Sequence, residues 1–152
     1  MIDSHKEMRN LCILETLKTI KFHQEFIIDP SLSSSKYRCK HVKIVDTIPF
    51  ILWNDCGLFE LTGYISNHLE DEKSDSFCTS FFRIENIDEK QKCATLSLLK
   101  PLDIDGRLSK EICEIVRLER TPICVDVDLS SFCAIHYLNV ELLNRKIIIE
   151  PR

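Results

Sequence analysis

The sequence has 152 residues, of which 44% are hydrophobic and 29% charged, and its formal net charge is −4. This length predicts one domain with a real core. The acidic balance gives no basic footprint for nucleic acid, and no apolar run is long enough to span a bilayer. We therefore expect neither nucleic acid nor a membrane as a partner. The first residues lack the features of a signal peptide, which predicts synthesis in a cytosol.

Residues 4 to 25 are predicted to form an amphipathic helix. Apolar side chains recur there at the three- and four-residue spacing of one helical face. They are Met8, Leu11, Cys12, Leu14, Leu17 and Ile20. The sequence leaves two roles open for this helix: packing on its own sheet, which surface helices commonly do, or docking on a neighbouring subunit. A serine-rich linker at residues 31 to 36 follows. The predicted division is therefore a helical arm with its linker, residues 1–36, and a main domain, residues 37–152.

From about His41 onward the pattern predicts short strands separated by turns. The first strand is expected to end at a turn around Gly57, after which the chain reverses direction. Residues 77–87 are expected to form a single strand that pairs with residues 93–100. Residues 132–138 are predicted to form one helical turn. Seven or eight strands at this spacing predict a mainly β protein, with a single β-sandwich or jelly-roll-like domain preceded by the N-terminal helix.

Apolar and polar residues alternate between Ile123 and Leu129, as in a half-buried strand. Burial of the apolar row places Cys124 on the outer face of this strand. The same reasoning places Cys93 outside, and Cys56 falls at a turn tip. Exposed thiols stay accessible, so these three are the candidate cross-linking cysteines. Cys133 lies in an apolar stretch and is the candidate buried cysteine. Without a register, pairing of Cys93 with Cys124 inside one molecule stays open.

The terminal segment 145–150 is predicted to be a strand with no obvious partner in the chain. An unpaired strand edge can template the addition of another chain. Ile147, Ile148 and Ile149 are therefore the candidate assembly edge.

Metal and catalytic sites are weakly indicated. Cys39, His41, Cys133 and His136 could offer four ligands to zinc, but no C-x-x-C pair occurs and the spacing does not force them to converge. Four aspartates could bind calcium if their loops met, although no EF-hand loop is present, so a solvated strand face and a turn are favoured. These are Asp103, Asp105, Asp126 and Asp128. No nucleophile elbow or glycine-rich loop occurs, so we predict no catalytic residue, no cofactor and no metal.

Four motifs stand in order along the chain, at residues 46–52, 81–85, 93–99 and 124–135. They are Asp-Thr-Ile-Pro-Phe-Ile-Leu, Phe-Phe-Arg-Ile-Glu, Cys-Ala-Thr-Leu-Ser-Leu-Leu and Cys-Val-Asp-Val-Asp-Leu-Ser-Ser-Phe-Cys-Ala-Ile. Together they resemble the cysteine-rich spore coat and exosporium proteins of spore-forming bacilli, the group of coat protein Z, coat protein Y and exosporium protein Y. The resemblance covers residues 39 to 140. Ser131 and Tyr137 stand where relatives often carry cysteine.

The resemblance implies a structural, non-enzymatic protein of the spore surface that self-assembles into a disulfide-reinforced lattice or anchors other surface components. Its implied partners are copies of itself and other coat or exosporium proteins. The eight cysteines, which are unusual for a cytosolic chain, are then explained by lysis of the mother cell, which exposes them to oxidation. The alternative is a β-sandwich or barrel protein that binds a small ligand, for which we expect a deep apolar cavity.

Overall fold

The computed structural model describes residues 4–28, 46–65, 75–138 and 147–150. One helix, α1, covers Ser4–Ile28, and a short 3₁₀ turn covers Leu129–Ser131. The strands are β1 (Phe50–Asn54), β2 (Gly57–Leu58), β3 (Leu61–Ile65), β4 (Asp75–Thr79), β5 (Phe82–Asp88), β6 (Cys93–Leu102), β7 (Arg117–Asp128), β8 (Phe132–Tyr137) and β9 (Ile148–Glu150). The mainly β class with one N-terminal helix is confirmed.

Seven of the described strands form one main sheet in the order β2-β1-β5-β6-β7-β9, with β8 pairing on β1. All of its pairs are antiparallel except β7 with β9, which is parallel. The other two strands, β3 and β4, form a separate antiparallel pair. The main sheet therefore contains every described strand except those of the β3–β4 pair.

One face of the main sheet carries the larger core, and we call it the core face. Alternate residues of β6 are buried there, namely Ala94, Leu96 and Leu98. The β3–β4 pair covers part of this face, because Phe77 of β4 belongs to the same buried cluster. Gly63 of β3 makes the close approach possible, since a Cβ atom at this position would lie 2.7 Å from the Phe77 ring.

The helix α1 packs on the core face of its own chain. Its buried stripe has the i, i+4, i+7, i+11 spacing of one helical face. The stripe consists of Ile13, Leu17, Ile20 and Gln24. Gln24 ties the helix to the sheet, because its amide donates to the Ile84 carbonyl (3.1 Å) and accepts from the Ile48 N–H (3.1 Å). Packing in cis is therefore one role of this helix.

The predicted helix face was partly wrong. Leu11 and Cys12 were expected on the packed face, but both are exposed. The buried stripe instead begins at Ile13 and aligns with Leu17 four residues later. Leu11 is six residues from Leu17, which places it about 120° away around the helix.

Residues 77–87 do not form the single strand that the pattern predicted. The chain leaves β4 at Thr79 and enters β5 of the other sheet at Phe82. The Thr79 hydroxyl holds this crossing by donating to the Leu99 carbonyl at 2.6 Å and accepting from the Phe81 N–H. The mostly apolar residues between 77 and 84 show no turn signal, so the sequence did not predict that the chain changes sheets between Thr79 and Phe82.

The helical turn predicted at residues 132–138 is instead the strand β8, and the turn lies just before it at Leu129–Ser131. Asp128 caps this turn by accepting from the Ser130 N–H at 2.9 Å. An aspartate before two serines is a helix-start signal, which the apolar stretch after it obscured.

The predicted boundary at residue 36 falls in the range 29–45, outside the described residues, and the two-part division stays a prediction. The described helical residues include no stretch apolar enough to cross a membrane.

Candidate functional site

The main sheet has a second face, directed away from α1, which we call the outer face. Its residues alternate with the core residues along β5, β6 and β7. The cross-strand register aligns them in rows, with Arg83 opposite Ser97 and Ser97 opposite Cys124. One row further, Thr95 lies opposite Asp126, and then Cys93 opposite Asp128.

A buried network of charges occupies the centre of the outer face. Arg83 donates to the Thr47 hydroxyl (3.1 Å), the Asp46 carbonyl (3.1 Å) and the Glu85 carboxylate (2.7 Å). Ser97 donates to the other oxygen of Glu85 at 2.7 Å. Because Arg83 is only 6% exposed, these partners compensate a charge that would otherwise be costly to bury.

The network explains three of the four sequence motifs physically. Asp46 and Thr47 come from the first motif, Arg83 and Glu85 from the second, and Ser97 from the third. Asp46 also forms an ion pair with Arg120 of β7. The segment before β1 is therefore fastened to the sheet by polar contacts. The sequence analysis missed this network, although the charged residues inside otherwise apolar motifs were a usable signal.

The four aspartates considered for calcium have structural contacts. Asp126 accepts from the Thr95 hydroxyl at 2.6 Å, and Asp128 caps the 3₁₀ turn. Asp103 accepts from the N–H groups of Asp105 and Arg107, both at 2.9 Å, and so shapes its own turn. Within the described ranges, no three His, Cys, Asp or Glu side chains converge on a point that could hold a metal ion.

Two candidate cross-linking cysteines are exposed, and the third is half-buried. Cys56 lies at the exposed turn between β1 and β2, where its N–H donates to Asn54 at 2.9 Å. Cys124 is exposed on the outer face, and Cys93 is half-buried where β6 begins. No disulfide joins any two of the seven cysteines that the structure describes. Cys39 lies outside the described residues.

The strand register bears on the open question of a Cys93–Cys124 pair within one molecule. Cys93 lies opposite Asp128, and Cys124 is four residues from Asp128 on the same strand. At about 3.3 Å per residue, the two cysteines are about 13 Å apart along the strand direction. A disulfide requires Cα atoms within about 7 Å, so this pair cannot close without a change of register.

Cys133 is half-buried, whereas the sequence predicted a cysteine enclosed in the core. Its thiol contacts the Trp53 carbonyl at 3.5 Å, while the neighbouring Phe132 fills the core position. Residues 132–137 form the strand β8, in which successive side chains point to opposite faces. Because Phe132 points into the core, the next residue, Cys133, points to the other face and is only half-buried. His136 stacks on Trp53 with ring centroids 6.4 Å apart. The second proposed zinc pair, Cys39 and His41, lies outside the described residues.

Other cysteines, which the sequence analysis did not single out, also reach the surface. Cys12 on α1 and Cys113 before β7 are exposed, and Cys78 on β4 lies 3.4 Å from the Thr62 hydroxyl. Cys113 follows the exposed Ile112 in a loop, which no periodic pattern could have placed.

The candidate assembly edge has a partner in its own chain, contrary to the sequence expectation. Ile148 pairs with Arg117 and Ile149 with Leu118, in a parallel arrangement. The strand β7 pairs along its whole length with β6, and its other edge at residues 117–119 provides the partner for β9. Ile147 is buried, Ile149 is half-buried and Ile148 is 39% exposed. β9 is the last described strand of the sheet on this side, and no described strand pairs with its other edge.

Comparison with known proteins gives a consistent result. The family model described as spore coat protein Z matches residues 2–140. Spore coat protein Z of Bacillus subtilis (strain 168) is 34% identical over 141 residues, which cover 88% of this chain and 93% of that protein. No solved structure matches. The match begins well before residue 39, so α1 falls inside the family region. The chain therefore belongs to the spore coat protein Z family and is a protein of the spore surface.

Proposed function

We propose that this chain is a structural building block of the spore surface that assembles with copies of itself and with other coat or exosporium proteins. In this proposal Cys56, Cys93 and Cys124 form disulfides between neighbouring molecules after assembly, and the chain catalyses no reaction. Family membership supports the structural role in the coat. We infer a sandwich-like domain for this block, because the β3–β4 pair packs over the main sheet through Phe77.

The placement of the cysteines is the observation that carries the proposal. Cys124 points outward from the centre of β7 and is exposed, so its thiol is open to another molecule. Its nearest candidate on the same face, Cys93, is about 13 Å away along the strands. Thiols that are accessible but cannot reach each other favour bonds between molecules over bonds within one.

The edge of β9 offers a non-covalent route to the same assembly. An edge strand presents unpaired N–H and C=O groups that a neighbouring chain can pair with. The Ile148 N–H donates to the Val116 carbonyl within the chain at 2.9 Å, so the N–H of the next residue, Ile149, faces the free edge. Replacement of Ile149 by proline removes that N–H group, and we expect smaller oligomers by light scattering. An unchanged mass distribution would count against this edge, while leaving the cysteines to be tested separately.

The ligand-binding alternative requires a deep apolar cavity. The groove between α1 and β5 has a volume of about 240 Å³ and is lined by Lys18, Lys21, Glu25 and Glu89 together with Phe22 and Ile87. Four charged side chains around an open groove do not make the enclosed apolar site that this function needs.

The test of the proposal is mild oxidation with diamide followed by non-reducing gels of Cys→Ser variants. We expect the triple variant of Cys56, Cys93 and Cys124 to lose most of the wild-type ladder, with only a weak remainder from the exposed Cys12 and Cys113. Cys133→Ser is the matched control and should keep the ladder, because the Cys133 thiol contacts the Trp53 carbonyl in a partly buried position, whereas the contact of the half-buried Cys93 with the Gln91 carbonyl is exposed. If the ladder survives the triple substitution and disappears in Cys133→Ser, then Cys133 and not these three cysteines forms the cross-links, and the proposal is wrong.

A further inference from the structure

The helix α1 carries a second stripe, on the side opposite the one it buries. We call it the outer stripe; it consists of Leu11, Glu15, Lys18 and Phe22. Each of these residues stands two positions before a residue of the buried stripe, and two positions turn a helix by about 200°. Leu11 is 52% exposed and Phe22 is 64% exposed. Two large apolar side chains therefore face away from the sheet on one line.

The outer stripe is apolar at both ends and oppositely charged in the middle, and this order makes it complementary to itself. In an antiparallel pair of such helices, Leu11 meets Phe22 of the second copy, and Glu15 meets Lys18 of the second copy. In a parallel pair, Glu15 would meet Glu15 and Lys18 would meet Lys18, which is repulsive. The charge pattern thus favours a second copy of α1 as the partner of the outer stripe, and favours the antiparallel orientation of the two helices.

The surroundings of the stripe fit this arrangement. Lys18 already contacts Glu15 at 3.4 Å and Glu89 at 3.1 Å. The hydrogen bond with Glu89 and then the charge of Glu15 raise the pKa of Lys18, so it remains a cation at neutral pH. The groove between α1 and β5, of about 240 Å³, lies beside Phe22 and includes Ile87. Phe22 and Ile87 supply the apolar part of this otherwise charged groove, beside the position that Leu11 of a second copy takes.

We propose that two copies of this chain dock through the outer stripes of their α1 helices, antiparallel and related by a two-fold axis between Glu15 and Lys18. A two-fold contact of this kind is closed, because the same patch serves both copies. The inference deepens the proposed self-assembly by assigning one of its contacts. It adds a second role to a helix whose other side packs on its own sheet.

The contact is non-covalent. Cys12 is exposed near the stripe, but the axis separates it from its copy by nine residues of helix, or about 13 Å. This exceeds the roughly 7 Å that a disulfide allows between Cα atoms. The dimer should therefore persist in reductant, which separates it from every cysteine-dependent contact.

The first test measures self-association of the full chain by sedimentation equilibrium in reductant at low salt. We expect Phe22→Ala and Leu11→Ala each to raise the dimer dissociation constant at least about tenfold, as truncation of a central apolar contact does. Tyr64→Ala is the matched control, because Tyr64 is 69% exposed but lies on β3. All variants should keep the wild-type circular dichroism and melting temperature, since the changed side chains are exposed.

The second test uses the charges. Glu15→Lys alone places two lysines opposite each other, and Lys18→Glu alone places two glutamates opposite each other, so each variant should dimerise more weakly than wild type. An equimolar mixture of the two variants should recover a heterodimer, because every cross-helix pair is then of opposite sign.

The two tests also separate this contact from self-assembly in general. Oligomers unaffected by Phe22→Ala, or a variant mixture that does not recover, would overturn the helix contact while the proposed assembly stands. A wild-type chain that remains monomeric in reductant and after oxidation would overturn both.

Discussion

The core face and the outer face of the main sheet are built from alternate residues of the same strands, yet they use different chemistry. On β6, Leu96 is fully buried among apolar side chains, while its neighbour Ser97 is buried in a charged network. Apolar contacts on the core face are non-directional, so many sequences can supply them. The outer face depends on specific donors and acceptors at its centre and on accessible thiols beyond it. Both faces therefore contribute to stability, the core face through apolar packing and the outer face through its charged network, and the outer face also presents the exposed thiol of Cys124 to solvent.

The largest expected effect breaks the charged network. Arg83→Ala should lower the free energy of unfolding by about 3–5 kcal/mol, because it leaves the half-buried Glu85 without its cationic partner. Urea unfolding followed by circular dichroism measures this change. The control is the double variant Arg83→Met with Glu85→Gln, which removes both charges and should be less destabilised than Arg83→Ala. If the double variant is as unstable as Arg83→Ala, the network stabilises the fold through the packing of its side chains and not through charge compensation.

The next effect tests the core face from the helix side. Leu17→Ala should lower the free energy of unfolding by about 2–5 kcal/mol, because Leu17 is fully buried and a cavity remains. Leu11→Ala, on the same helix but 52% exposed, should change stability by no more than about 0.5 kcal/mol. Equal effects of the two substitutions would contradict the observed orientation of α1.

A chain that begins at Tyr37 tests the predicted two-part division directly. Because Leu17 and Ile20 belong to the core of the sheet, we expect this shorter chain to melt at a lower temperature than the full chain. Thermal melting by circular dichroism gives the comparison. Retention of the strand signal at low temperature would support a separable main domain, and an unfolded chain would contradict the division at residue 36.

A smaller effect concerns a single hydrogen bond of the outer face. Ser97→Ala removes the 2.7 Å hydrogen bond to Glu85 and should cost about 1 kcal/mol, while Arg83 still pairs with that carboxylate. Thr95→Ala removes the corresponding bond to Asp126, which is exposed, and should cost less. Chemical denaturation measures the loss of stability in each variant. A larger loss for Thr95→Ala than for Ser97→Ala would contradict the expectation that the more buried hydrogen bond contributes more.

The smallest expected effect on stability belongs to Cys124, one of the three proposed cross-linking cysteines. Cys124→Ser should leave the free energy of unfolding within about 0.5 kcal/mol of wild type, because this side chain is exposed. A loss of several kcal/mol would mean that Cys124 has a structural role instead.

The alternation of β6 and β7 was predictable because burial on one face imposes a period of two on the sequence. The same alternation placed Cys124 outside correctly. The charged network was not predictable, because it joins Asp46 to Arg83 and Arg120 across large separations in sequence. Such pairs depend on the order of strands, which no local pattern records. The partner of Ile148 was missed for the same reason, since its pairing with Arg117 follows from the place of β9 beside β7 in the strand order.

The central claim is that Cys56, Cys93 and Cys124 form disulfides between molecules. Equal amounts of ¹⁴N- and ¹⁵N-labelled protein can be mixed, assembled and oxidised with diamide, then digested without reduction and examined by mass spectrometry. We predict disulfide-linked peptides of Cys56, Cys93 and Cys124 in which the two halves carry different isotopes about as often as the same one. Linked peptides of Cys93 with Cys124 in which both halves always carry the same isotope would show a bond within one molecule, and would contradict both the register and the proposed cross-linking.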